Sequence, residues 1–125
     1  MSGYIQVFTE PVAERSTVEF TLQLDDTNNP VDTSQLFTVT LSLYEASTKQ
    51  TINGRNGVDI KNANGGSFNA TGLLTLTLSD ADNVIVLPAR ASESHVALIS
   101  WTWASGAKTG RKELHFTVPN QPKVS

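Results

Sequence analysis

Three short runs of this sequence carry an apolar side chain at every second position. Because successive side chains of a β-strand point to opposite faces, such runs form strands with one buried face and one wetted face. The runs comprise Val18, Phe20, Leu22 and Leu24; Phe37, Val39, Leu41 and Leu43; and Leu114, Phe116 and Val118. This alternation commits the chain to sheets that bury one side.

The spacing of these runs predicts an all-β chain of about eight or nine short strands. Turn residues separate the runs, and no segment has the length and periodicity of an amphipathic helix, which favours an antiparallel β-sandwich. A length of 125 residues suits a single domain. We expect an N-terminal strand or arm over 1–16, a sandwich domain over 17–118 and an extended C-terminal tail over 119–125.

The last two strands predict a hairpin with a defined register. A turn around 105–108 pairs Trp101 with Lys112, Ile99 with Leu114 and Ala97 with Phe116. This register also sets His95 near Val118, and it places one set of apolar side chains on a single buried face. The set is Ala97, Ile99, Trp101, Leu114, Phe116 and Val118.

The charge and the cysteine content exclude several classes of function. The formal net charge is −3 and the nine Lys and Arg residues are scattered, so the sequence offers no basic patch for nucleic acid or an anionic membrane. No stretch approaches the length of a membrane span, and the first residues do not resemble a secretion signal. The chain has no cysteine, which excludes disulfides and thiolate chemistry. We expect no cofactor.

Catalysis is not indicated by the titratable residues. His95 and His115 lie on opposite faces of the predicted hairpin, so they do not converge on one proton or one metal ion. Ser94 precedes His95 directly, but adjacent strand residues diverge. We therefore predict that the protein is not an enzyme.

Two acidic clusters contain residue types that can bind a metal ion. The turn from Asp25 to Asp32 is rich in Asp and Asn, yet its spacing does not match an EF-hand loop, and these residues are common in turns. In the second cluster, Asp80, Asp82 and Asn83, helix capping is the favoured interpretation. We predict no metal site.

Two tryptophans that lie two residues apart, on the same face of a predicted strand, leave a second function open. Trp101 and Trp103 most simply belong to the core and its rim, because large aromatic side chains dominate burial in small sandwiches. An exposed Trp103, with the loops near Gly65 and Gly106, would instead suit carbohydrate binding or host attachment. That alternative requires Trp103 to be accessible.

Four stretches resemble immunoglobulin-like structural domains of tailed bacteriophages, of the kind found in baseplate upper proteins, neck proteins and capsid decoration proteins. They span about residues 17–118. The stretches are the strand running into Leu24-Asp25-Asp26 with 29–32 after it, the strand 39–44, the strand 72–76, and the hairpin from His95 to Trp103 and on to Val118.

The resemblance implies an immunoglobulin-like sandwich that works as a virion structural protein without an active site. A free-standing module of this size favours a capsid decoration or cement protein, or a head-to-tail completion protein. Its partners would be capsid, portal, neck or tail subunits, in a homo-oligomer or multi-copy assembly. Sheet edges and termini suit such docking. The candidate interaction residues are Tyr4, Ile5, Val7, Trp103, Pro119 and Pro122.

Overall fold

A computed structural model describes residues 5–8, 12, 15–26, 29–30, 36–69, 72–86, 92–103 and 108–119. A 3₁₀ turn, Asp80–Asp82, lies among a succession of strands. The strands are β1 (Ile5–Val7), β2 (Val18–Gln23), β3 (Asp25–Asp26), β4 (Asn29–Pro30), β5 (Leu36–Glu45), β6 (Val58–Asp59), β7 (Gly66–Phe68), β8 (Leu73–Leu78), β9 (Ser92–Trp103) and β10 (Lys108–Pro119). Within the described residues, no helix has the length and hydrophobicity needed to span a membrane.

Eight of these strands form two sheets, which confirms the predicted all-β sandwich. One sheet has five strands in the order β1-β10-β9-β5-β6, and the other has three in the order β2-β8-β7. Strands β3 and β4 form a separate two-stranded ribbon. Among the described strands, the pairings are antiparallel except that β1 runs parallel to β10. The two strand orders follow the B-E-D and G-F-C arrangement of immunoglobulin-like sandwiches.

The core is a single apolar cluster between the two sheets. Phe20 and Leu76 come from the three-stranded sheet, whereas Leu41, Ile99 and Phe116 come from the five-stranded sheet. Each fully buried Leu, Ile or Phe contributes about 1.5–3 kcal/mol relative to an exposed side chain. Because the interior contains no disulfide, this burial holds the sheets together.

The register of the final hairpin differs from the prediction by two residues. Lys112 pairs with Ile99 rather than Trp101, and Phe116 pairs with His95 rather than Ala97. A shift of two positions keeps every side chain on its predicted face, so all six predicted core residues of this hairpin are buried. The residue opposite Trp101 is Gly110, where a Cβ atom would lie 2.5 Å from the indole ring. Glycine thus provides the space that the indole occupies.

The prediction that Phe37 shares the buried face of β5 is wrong. A β-bulge between Leu36 and Thr38 inserts one residue into the pairing with β9. The extra residue reverses the alternation at this end of the strand, so Leu36 is buried and Phe37 is 59% exposed. From Val39 to Leu43 the predicted alternation is confirmed.

Two segments between β5 and β8 form little regular structure. In the stretch from Gln50 to Ile52, only Thr51 forms a bridge, which is isolated and pairs with Tyr44. Gly66 directly follows the Asn64-Gly65 turn and begins β7.

Candidate binding surface on the five-stranded sheet

Three of the six predicted interaction residues lie in β1 or at the end of β10. Val7 is 64% exposed at the end of β1, and the backbone of Ile5 pairs with Glu113. Pro119 is half-buried and closes β10 opposite Ser92. Tyr4 and Pro122 lie outside the described residues. Within the predicted N-terminal arm, residues 5–7 thus form an edge strand of the five-stranded sheet.

Trp103 is buried, which removes the condition for the carbohydrate alternative. Its side chain is 9% exposed and belongs to the core cluster with Trp101. A sugar stacks on an accessible aromatic face, and this indole presents its surface to the core instead. The two tryptophans therefore have the structural role favoured for them.

The two histidines lie on opposite faces of the sheet, as predicted. His95 points into the core, where its Nε2 lies 2.9 Å from the Glu93 carboxylate. His115 points outward, and its Nε2 lies 2.8 Å from the Glu113 carboxylate. Each glutamate precedes its histidine by two residues on the same strand, so each pair shares a face. The hydroxyl-bearing Ser94 is exposed while His95 is buried, so these neighbours diverge.

Asp82 organises an ionic network that joins the 3₁₀ turn to the segment between β5 and β6. Its carboxylate accepts bonds from Arg55 Nε at 2.9 Å, Arg55 Nη2 at 2.8 Å and Asn53 Nδ2 at 2.8 Å. The backbone N–H of Ser79 also donates to it at 2.8 Å, the reciprocal half of a capping box. Burial by itself raises the pKa of Asp82, but the bonds from Arg55, Asn53 and Ser79 lower it below its ordinary value of 3.8.

This network supports the capping interpretation for the second acidic cluster. Among the described residues, no group of three or more His, Cys, Asp or Glu side chains has the arrangement of a metal site. In the first cluster, Asp25 and Asp26 pair through their backbones with Pro30 and Asn29 in a tight ribbon. Asn28 and Asp32 lie outside the described residues.

Glu45 shapes the turn that follows β5. Its carboxylate accepts bonds from the Ser47 hydroxyl at 2.7 Å, the Ser47 N–H at 3.1 Å and the Thr48 N–H at 2.8 Å. Burial by itself raises the pKa of Glu45, but these bonds override it and lower the pKa to about 2. The turn then closes with a bond from Lys49 N–H to the Glu45 carbonyl at 2.8 Å.

Facing away from the core, the five-stranded sheet carries a row of two valines, a tyrosine and a histidine. Register aligns Tyr44 on β5, Val96 on β9, His115 on β10 and Val7 on β1. We call these four residues the outer row. Val96 lies outside the core cluster yet is 2% exposed, because its neighbours on this face cover it. The next row includes half-buried Leu98, which extends the apolar area.

Each end of the outer row opens into a shallow cleft. The first, of about 320 Å³, lies beside Tyr44 and is lined by the turn after β5. Its lining residues are Ser42, Leu43, Tyr44, Lys49, Thr51, Arg55 and Asn56. The second, of about 250 Å³, lies beside Val7, where β1 meets β10 and β9. We call the first the Tyr44 cleft and the second the Val7 cleft.

Several charges surround the Tyr44 side chain. The Lys49 ammonium lies 5.5 Å from the centre of the Tyr44 ring, within cation–π range. Burial raises the pKa of Tyr44, Glu113 raises it further, and Arg111 opposes the rise. The phenol is therefore a protonated hydrogen-bond donor at neutral pH.

The sequence predicted only some of the residues of the outer row. Val7 was predicted, whereas Tyr44 was not, although it alternates with Leu41 and Leu43 and must therefore face outward. An aromatic side chain on the wetted face of a strand was the available signal. Comparison with known proteins gives no family model, curated protein or solved structure that matches this chain.

Proposed function

We propose that this chain is a non-enzymatic structural protein of a tailed-bacteriophage virion, and that it binds neighbouring virion subunits. The phage role rests on the resemblance of the strand and turn motifs to phage immunoglobulin-like domains. The strand order of the sandwich supports it, because that order agrees with the fold that the resemblance implies. Capsid decoration, cement and head-to-tail completion are the roles that a module of this size suits.

The outer row is the observation that carries the binding proposal. A monomer that needs no partner covers the outside of a sheet with polar side chains, as in the alternation of most antiparallel strands. Here exposed Val7 and half-buried Tyr44 share one row with His115 and the buried Val96, half-buried Leu98 lies beside the row, and a cleft opens at each end. Apolar area of this kind, rimmed by charges, is typical of protein–protein interfaces.

The edge of β1 that faces away from β10 lies next to the outer row. It offers a second mode of contact with a partner. Phe8 N–H donates to the His115 carbonyl at 2.9 Å, so alternate residues of this segment bond to β10. The backbone groups of Ile5 and Val7 then point to the opposite edge, which no strand of the described residues covers. Such an edge accepts an added strand from a partner.

Quantitative sedimentation of phage particles tests this proposal. The wild-type protein is expected to co-sediment with purified virions, and Val7→Glu is expected to reduce its copy number per particle by about tenfold, since a charge replaces exposed apolar contact area. Phe37→Glu is the matched control, because Phe37 is equally exposed but lies at the bulged end of β5. Recovery of the wild type only in the soluble lysate, or full occupancy by Val7→Glu, would contradict the proposal.

A further inference from the structure

The turn beside the Tyr44 cleft holds a lysine in a backbone conformation that favours glycine. Lys49 has φ = 63°, in the left-handed region that L-residues rarely adopt. The Glu45 carboxylate fixes the preceding residues of the turn, and the Lys49 N–H donates to the Glu45 carbonyl. Glycine at this position would relieve the strain, so the presence of lysine here suggests that its side chain has a use.

The Lys49 ammonium lies against an aromatic ring, whereas three other described cations bond to oxygen acceptors. Arg55 is paired with Asp82, Lys61 Nζ donates to the Leu36 carbonyl at 2.8 Å, and Lys112 Nζ donates to the Gln23 carbonyl at 2.9 Å. Among the described residues, no carboxylate lies within ion-pair distance of Lys49, and its ammonium lies over the Tyr44 ring. Its charge is available at the mouth of the cleft.

The donors around the Tyr44 cleft match one ligand group. Lys49 supplies a cation and the Tyr44 hydroxyl supplies a neutral donor, while Asn56 adds an amide to the lining. The Arg55 guanidinium already forms an ion pair with Asp82, so it lines the cleft without supplying a charge for a ligand. A charged ammonium beside a neutral phenol and an amide is suited to a carboxylate, which accepts several hydrogen bonds at once.

We propose that the Tyr44 cleft binds a carboxylate side chain from an acidic segment of a partner protein. This inference rests on the proposed function, since it names the chemistry of the subunit that covers the outer row. Continuity supports a protein partner, because the cleft opens directly onto the outer row. A segment that places an Asp or Glu in the cleft can cover half-buried Leu98 and exposed Val7 with adjacent apolar residues.

Binding of a labelled oligo-glutamate peptide, followed by fluorescence anisotropy, tests the inference. The chain carries a net charge of −3, so affinity for a polyanion requires a local cationic site. We expect the wild type to bind oligo-glutamate more tightly than oligo-glutamine of the same length. Lys49→Gly is expected to weaken oligo-glutamate binding about fivefold, and Lys49→Arg to retain it within about twofold.

The Lys49→Gly variant distinguishes a loss of binding from a loss of folding, because it removes the charge and also relieves the backbone strain. Its unfolding midpoint is expected to equal or exceed that of the wild type. Arg15→Gly is the matched control. Arg15 is also an exposed cation at positive φ, 58°, but it does not line the cleft, so its loss is expected to leave binding unchanged.

The outcomes distinguish this inference from the proposed function. Equal binding of both peptides, equal losses in the two glycine variants, or preference for an oligoglucuronate over oligo-glutamate would overturn the carboxylate-segment inference. Full virion occupancy by Lys49→Gly would also overturn it and leave the structural role intact. Absence of the wild type from virions would instead contradict the proposed function, whatever the peptides show.

Discussion

Replacement of Asp82 by alanine is expected to lower the free energy of unfolding by about 3–5 kcal/mol. The carboxylate is fully buried and accepts bonds from Arg55, Asn53 and Ser79. Its loss leaves the guanidinium without a counter-charge and frees both the 3₁₀ turn and the turn before β6. Urea unfolding followed by the fluorescence of the two buried tryptophans measures the change.

The pH dependence of this effect provides its control. A carboxylate whose pKa is depressed in the folded state stabilises the protein above its ordinary pKa, 3.8 for Asp82, and this contribution is lost as the pH falls through the depressed value. The difference between wild type and Asp82→Ala should therefore be complete at neutral pH and shrink in acid. Glu45, with a pKa of about 2, adds to the acid sensitivity of both proteins. A loss below about 1 kcal/mol at neutral pH would show that the network is not structural.

Phe116→Ala is expected to cost about 3–5 kcal/mol of unfolding free energy. Phe116 extends from β10 to Phe20 on the opposite sheet, with ring centres 5.2 Å apart, and it also packs edge-to-face with His95, with ring centres 5.7 Å apart. Phe20 in turn packs against Phe8 at 4.8 Å. The substitution opens a cavity where the two sheets meet, and chemical denaturation measures the loss.

An exposed phenylalanine provides the matched control for this core substitution. Phe37→Ala is expected to change the unfolding free energy by no more than about 0.5 kcal/mol, because the Phe37 side chain lies largely in solvent. A double-mutant cycle between Phe20 and Phe116 should give a coupling energy of about 0.5–1.5 kcal/mol. Equal effects of the Phe116 and Phe37 substitutions would mean that the sheets do not share this interior.

The buried and exposed faces of the strands could be predicted from the sequence, because an apolar side chain at every second position marks the buried face. Leu74, Leu76 and Leu78 follow that rule, and so do the core residues of the final hairpin. The hairpin register was predicted two residues away because such a shift buries the same side chains, and the sequence between Trp103 and Lys108 contains no Asn-Gly signal to fix the pairing. The bulge before Thr38 has no local signature either, which is why Phe37 was assigned to the core.

The candidate site depends on relationships that distance in the sequence conceals. Arg55 and Asp82 are 27 residues apart, and nothing near either residue indicates the other. Lys49 reaches the Tyr44 ring only because the intervening turn adopts the conformation that Glu45 stabilises. Pairing of β1 with β10 joins the two ends of the chain, so Val7 enters the outer row through a parallel contact that alternation alone does not predict.

Hydroxyl-radical footprinting of the free protein and of the assembled virion tests the central claim most directly. If the outer row is the docking surface, oxidation of Tyr44 and Val7 should fall by about tenfold on assembly, while Phe37, at the bulged end of β5, should react equally in both states. Unchanged oxidation of Tyr44 and Val7 in virions that contain the protein would show that its partners bind elsewhere.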